Sequence, residues 1–161
     1  MALIHEFILV PKSDYTHDYY LKIERNNYGE IDVHKTGILE LVIFPDELIL
    51  YINDSLQWIP TINPATSKKG FGLNYCGVTT IDKDGSSIAE SVFLSWANLF
   101  SNAPNDLKLT GSWTWSGTNE NVGEYEKLVY EKDAIVSCFS KLASYCNMVT
   151  TRLYYIVHLG I

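Results

Sequence analysis

The chain has 161 residues, 47% of them apolar, with 12 basic and 19 acidic side chains and a net charge of −7. That length suits one domain with a real core, and a mean hydropathy of −0.02 is a globular value, neither disordered nor membrane-like. The acidic balance disfavours nucleic acid or an anionic membrane as a direct partner, leaving a solubilising surface or a docking face for a basic protein.

No apolar run approaches bilayer length. The start, Met1-Ala-Leu-Ile-His-Glu6, lacks the basic region and apolar stretch of a signal peptide, so a cytoplasmic location is expected. Three cysteines, Cys76, Cys138 and Cys146, have no paired spacing and are expected as reduced thiols.

In chain order, Leu3 to Pro11 is a continuous apolar run and predicts a strand inside a sheet. Tyr19 to Arg25 alternates as a half-solvated strand would, the turn Asn26 to Gly29 follows, and Ile31 to Lys35 reads as its hairpin partner. Ile38 to Phe44 predicts another strand, ended by Pro45-Asp46, and Glu47 to Asn53 its antiparallel neighbour. Gln57 to Lys69 carries Pro, Asn, Ser and Lys and reads as a loop.

The stretch from Gly70 to Ser116 organises the rest. Phe71 to Ile81 predicts a strand, and Asp82 to Gly85 a turn whose glycine suits positive φ. A helix capped by Ser86 or Ser87, with Glu90 at capping-box spacing from Ser87, then runs to Ala103-Pro-Asn-Asp106. Leu107 to Trp115 reads as a strand with Leu107, Leu109, Trp113 and Trp115 on one parity. A helix with a broad apolar face between two strands is expected to lie on their sheet. Ser116 to Gly123 is a loop, and Glu124 to Tyr130 a strand antiparallel to the Trp113 strand. A second helix starts at Lys132 or Asp133, its apolar positions from Ile135 to Val149 recurring at threes and fours. Arg152 to Leu159 is a last apolar strand, expected inside the sheet. The fold class is therefore α+β: one domain over residues 1–161, a mainly antiparallel sheet of about seven to nine strands with two helices packed on it.

No catalytic template fits. The histidines His5, His17, His34 and His158 lack zinc-site spacing, and His5 and His158 read as satisfied structural residues within strands. Cys138 and Cys146 fall on the apolar pattern of a helix, which leaves Cys76 as the one thiol to test for activation. Gly70-Phe-Gly72 is too short for a phosphate cradle, and Asp82-Lys-Asp-Gly85 lacks the glutamate of a calcium loop. No cofactor, metal or enzymatic activity is expected.

Acids do cluster. From Glu40 to Asp54 there are four (Glu40, Asp46, Glu47, Asp54) and no base, and from Glu120 to Asp133 there are five against Lys127 and Lys132. Glu124 and Glu126 share one strand face. Polar loops explain such clusters, and so does a negative surface that meets a basic protein.

The segments Gly72-Leu-Asn-Tyr-Cys-Gly-Val-Thr-Thr-Ile81, Ser95-Trp96 with Phe100, Leu109-Thr-Gly-Ser-Trp-Thr-Trp115 and Gly123-Glu-Tyr-Glu126 resemble small bacterial immunity proteins of polymorphic-toxin and contact-dependent growth inhibition systems. The resemblance covers residues 70 to the end and is one of general style. It implies a cytosolic, non-catalytic, acidic protein that binds a cognate toxin domain, an RNase or DNase in many such systems. Carboxylates can occupy a nuclease cleft as phosphate mimics, so the expected toxin-binding residues are Asp46, Glu47, Asp54, Glu120, Glu124, Tyr125 and Glu126. Reversing Asp46, Glu47, Glu120 and Glu124 together is expected to abolish binding and spare the fold. The alternatives are a small-ligand or enzymatic pocket around Tyr75, Cys76, Trp113 and Trp115, and a subunit of an oligomer.

Overall fold

The first apolar run folds as strand β1, Ile4–Pro11, which is buried on both faces from His5 to Val10 because it lies in the interior of a sheet. The computed structural model describes residues 3–34, 38–115 and 122–161. Around β1 the chain adds β2 (Glu40–Pro45), β3 (Pro60–Asn63), β4 (Lys68–Phe71), β5 (Val78–Ile81) and β8 (Tyr154–Leu159). These six make one sheet in the order β2-β1-β8-β5-β3-β4, every pairing antiparallel. The first and last strands are thus neighbours, with Phe7 opposite His158 and Leu9 opposite Ile156.

Two further strands, β6 (Asp106–Trp115) and β7 (Gly123–Glu131), form a separate two-stranded ribbon. Among the described residues three α-helices complete the α+β domain: α1 (Asp46–Leu56), α2 (Lys83–Ser101) and α3 (Lys132–Thr150). One sheet face carries Phe7, Leu9, Val42, Phe44, Ile81 and Ile156 into a core closed by the helices, with Phe93 and Phe139 at its centre. The opposite face, with Ile8, Val10, Val157 and Leu159, is covered by the largely irregular residues 12–34 and 38–39 through Tyr19, Ile31 and Ile38. Glu6, buried on that face, takes a two-pronged hydrogen bond from the Arg25 guanidinium, which fastens this cover to β1.

Several expectations are corrected. Glu47 to Asn53 is helix, not strand: Leu48, Ile49, Ile52 and Leu56 are all buried at helical spacing, and Pro45 followed by two first-turn acids is a helix start. Three helices therefore replace the two expected. Tyr19 to Arg25 is a 3-10 turn over Tyr19–Lys22, and the Ile31 pairing shrinks to one bridge, Arg25 to Ile31. Ile31 to Lys35 runs into residues 35–37, outside the described residues. The loop expected at Gln57 to Lys69 contains β3 and the start of β4, joined by a turn in which Asn63 Oδ1 accepts from the Ala65 and Thr66 amides. The Phe71 to Ile81 strand is broken by Gly72 at φ +78°, which leaves Phe71 as the end of β4 and Val78–Ile81 as β5.

Helix α2 begins four or five residues earlier than expected, capped by Asp82 in place of Ser86 or Ser87, with Asp82 accepting from the Asp84 amide at 2.9 Å. Gly85 needs no positive φ. It sits in the first turn of α2, where a Cβ would stand 2.0 Å from the Pro60 carbonyl oxygen, so β3 and α2 can meet this closely only over a glycine. The flanking ribbon does not receive α2: that helix packs chiefly along α3, and β6–β7 is the connection between the two. An irregularity between Thr110 and Trp113 breaks the single parity expected for β6, so Leu107 is buried whereas Trp113 and Trp115 reach solvent.

Candidate functional site

The site is built around the first turn of α1, where consecutive residues face opposite ways. Asp46 turns inward and is only 6% exposed. Its Oδ2 accepts from the Tyr75 hydroxyl at 2.7 Å and its Oδ1 from His5 Nε2–H at 2.9 Å. His5 Nδ1 lies 2.9 Å from His158 Nε2, and the two rings are stacked with an 8° interplanar angle. Thus four side chains from β1, β8, α1 and the 72–77 loop form one line of hydrogen bonds into the interior.

The proton positions follow from what each atom can do. A carboxylate only accepts, so the Tyr75 proton and a His5 Nε2 proton point to Asp46. Burial, reinforced by His5, pushes His158 down to about 3, so this ring is neutral and holds one proton. Placed on Nε2, that proton is donated to His5, and the unpartnered atom is a bare Nδ1 lone pair. Placed on Nδ1, it would be an orphaned N–H, the costlier outcome. All three protons therefore run toward Asp46. His158 Nδ1 is the one buried side-chain polar atom without a partner among the described residues, which corrects the expectation of a fully satisfied histidine. Donation to Asp46 pushes Tyr75 up to about 12. Because both histidine rings are fully buried, this line is placed to hold the start of α1 against β1 and β8.

Glu47, one residue on, faces outward. With Thr114, Glu124, Tyr125, Glu126 and Lys127 of the ribbon it lines an open cavity of about 410 Å³. A smaller hollow of about 200 Å³ beside it is shared by Glu47, Leu50, Tyr51 and Glu126. Burial, then Glu47 and Glu126, push Tyr130 up to about 12, a second sign that the two acids converge. Among the described residues none of Glu47, Glu124 and Glu126 is in an ion pair. Asp54 is exposed on α1 two turns beyond Glu47, on the same side of the helix. Tyr125, 57% exposed, packs edge-on against Trp113 with ring centroids 5.0 Å apart, and Trp115 is 63% exposed at the end of the ribbon.

Of the seven residues expected at a binding surface, then, Glu47, Glu124, Tyr125 and Glu126 come together and Asp54 extends the same side of α1. Asp46 supports that surface from beneath, since reversing its charge would place a cation against His5 in the interior. Glu120 lies outside the described residues. Other acids of the two clusters are used internally: Glu40 pairs with Lys141 at 2.6 Å and accepts from Tyr145, and Glu131 caps α3 through the Asp133 and Ala134 amides. In the alternative pocket, Tyr75 is tied inward to Asp46, its ring 5.3 Å from His5, while Trp113 belongs to the ribbon. Cys76 is exposed, Cys146 buried and Cys138 half-buried.

The His5–Asp46–Tyr75–His158 line was hidden from a reading by spacing, because its histidines are 153 positions apart. The apolar strands around His5 and His158 were the available signal, since a histidine buried in a sheet needs a polar partner. Among the described residues no group of three His, Cys, Asp or Glu side chains is placed to hold a metal ion, and no helix is long and apolar enough to cross a membrane. Compared with protein-family models, with curated proteins and with solved structures, the chain gives no match.

Proposed function

We propose that the chain is a non-catalytic binding protein that neutralises a basic protein partner through the acidic and aromatic surface formed by α1 and the β6–β7 ribbon. The observation that carries this reading is the convergence of Glu47, Glu124 and Glu126, from segments far apart in sequence, on one open cavity beside Tyr125. Among the described residues these three carboxylates have no ion-pair partner, and their shared negative charge favours a cationic partner. Exposed Tyr125, Trp113 and Trp115 add the apolar area that anchors protein interfaces. A toxin nuclease fits this chemistry. Its phosphate-binding cleft is positive, and carboxylates that enter it displace the substrate's phosphates. The partner class is thus a cognate RNase or DNase domain, the setting the bacterial cytoplasm, and the chain itself contacts neither nucleic acid nor membrane.

The test is co-purification with a tagged copy from the native host, across a salt series, alongside the triple variant Glu47→Gln, Glu124→Gln, Glu126→Gln. The expected result is one stoichiometric basic protein, released as salt rises, whose nuclease activity is suppressed in the complex. Retention of that protein by the triple variant with undiminished affinity would overturn the assignment.

A further inference from the structure

The buried line beneath α1 holds its protons in one arrangement, and the atoms dictate what one more proton does to it. In the neutral line His158 Nε2–H donates to His5 Nδ1, and His5 Nε2–H donates to Asp46. A further proton on His158 must go to Nδ1, since Nε2 already holds one. A further proton on His5 goes to its Nδ1, which then needs His158 Nε2 as acceptor, and the proton displaced from Nε2 moves to His158 Nδ1. Both routes end on the same atom. Whichever ring carries the charge, the added N–H is that of His158 Nδ1, the buried atom without a partner among the described residues.

The surroundings give that N–H little relief. Phe7 and Thr79 lie opposite His158 in the neighbouring strands and Phe44 opposite His5, none of them ionisable. Helices α2 and α3 reach these strands through Phe93 against Phe7 and Phe139 against Phe44. Glu6, next to His5 on β1, is on the opposite sheet face with Arg25, while Glu47 on α1 and Cys76 in the 72–77 loop bear on Tyr75. A buried N–H without an acceptor is then satisfied by admitting water. The strands are the least able to move, because β1 and β8 are each paired on both sides. The other two members of the line are held more lightly. Tyr75 is the least buried of the four and sits in a loop, its ring 5.3 Å from His5. Helix α1 starts without a side-chain cap, and Asp46 in its first turn gives its two oxygens to Tyr75 and His5.

We propose that the His5–His158 pair is an acid-operated latch: a proton taken up at His158 Nδ1 releases Asp46 and Tyr75, and the start of α1 opens with the 72–77 loop while the sheet stays folded. Glu47 follows Asp46 in the same turn, so the opening moves one wall of the acidic cavity and acid loosens the basic partner. That consequence rests on the function proposed above, whereas the latch itself does not.

Hydrogen exchange of the intact chain alone, corrected for the intrinsic effect of pH, tests it. The amides to follow are those of Asp46, Asn74 and Gly160, bonded to the Leu3 carbonyl, the Thr79 hydroxyl and the Gly77 carbonyl. Burial holds His158 down at about 3 in the closed state, and a ring opened to water returns to its ordinary value of about 6.5. Acid therefore favours the open state, and these amides are expected to open about twentyfold more at pH 5 than at pH 7. Low urea is expected to leave that opening unchanged, because it exposes little surface, while amides in the middle of α3 follow global unfolding and respond steeply. His158→Gln, whose amide donates to His5 without titrating, is expected to lose the pH dependence at the same three amides. Equal opening at the two pH values would overturn the proposal, and so would an opening that rises with urea as steeply as that of α3. Both are read on the wild-type chain and decide even if the variant fails to fold. A folded His158→Gln chain that keeps the full pH dependence would overturn it as well.

Discussion

Two regions meet at the first turn of α1, one residue apart in sequence. Beneath it, Asp46 gathers protons from Tyr75 and His5, and His5 in turn from His158, with the carboxylate and both histidine rings buried. Above it, Glu47 joins Glu124 and Glu126 in the open, without ion-pair partners among the described residues. Both regions are rich in polar chemistry, yet they obey opposite rules. A buried carboxylate needs hydrogen bonds to offset its desolvation, and each Asp46 oxygen accepts one, so Asp46 is committed to the fold. Exposed carboxylates cost little and remain free to meet a partner. The lesson is that an acidic residue's role is set by the direction its side chain takes from the helix, and neighbours in sequence can differ completely.

The comparison breaks most severely at Asp46. Asp46→Ala strands the His5 N–H and the Tyr75 hydroxyl, and is expected to destabilise the fold by about 3 kcal/mol in urea unfolding. Glu47→Ala, one position on, is expected to change stability by less than about 0.5 kcal/mol. Similar losses for the two would erase the distinction between the regions.

Acid is expected to have an effect of comparable size. The His158 pKa is lowered by burial to about 3 in the native state, so the unfolded chain takes up a proton first as pH falls. Stability contributed by the neutral ring is full at neutral pH and is lost below the unfolded value of about 6.5, by about 1.4 kcal/mol per pH unit until the native value is reached. Urea midpoints measured between pH 7 and pH 4 check this, and His158→Gln should flatten the slope over that range. Tyr75→Phe has the smallest expected effect on the buried side. It removes one of the two hydrogen bonds to Asp46 and costs about 1 kcal/mol.

Much of the framework was legible in the sequence. The long apolar runs at residues 3–11 and 152–159 marked interior strands, because only a strand covered on both faces is apolar throughout. The threes-and-fours spacing from Ile135 to Val149 marked α3, which the structure starts at Lys132. Helix α1 was not legible as a helix, since Leu48-Ile-Leu-Tyr-Ile52 has strand-like composition. The burial of Leu48, Ile49, Ile52 and Leu56 on one side decides the matter, and that is a tertiary effect. Strands β3 and β4, four residues each, were too short to stand out against their turn residues. For the site, Glu47, Glu124 and Glu126 were recognisable by charge clustering, and Tyr125 as an aromatic between two of those acids. Asp46 belongs to the same cluster and shows why composition is insufficient: its partners are 41 and 29 positions away, brought together only by the sheet.

The central claim is that the exposed acids bind and the buried one supports. The measurement that reaches it most directly is calorimetric titration of the co-purified basic partner, at low and high salt, with the wild-type chain and the Glu47→Gln, Glu124→Gln, Glu126→Gln variant. The account predicts wild-type binding that weakens steeply with salt, and a variant that keeps its melting temperature while losing affinity at least a hundredfold. Equal affinity for the two proteins, or binding indifferent to salt, would contradict it.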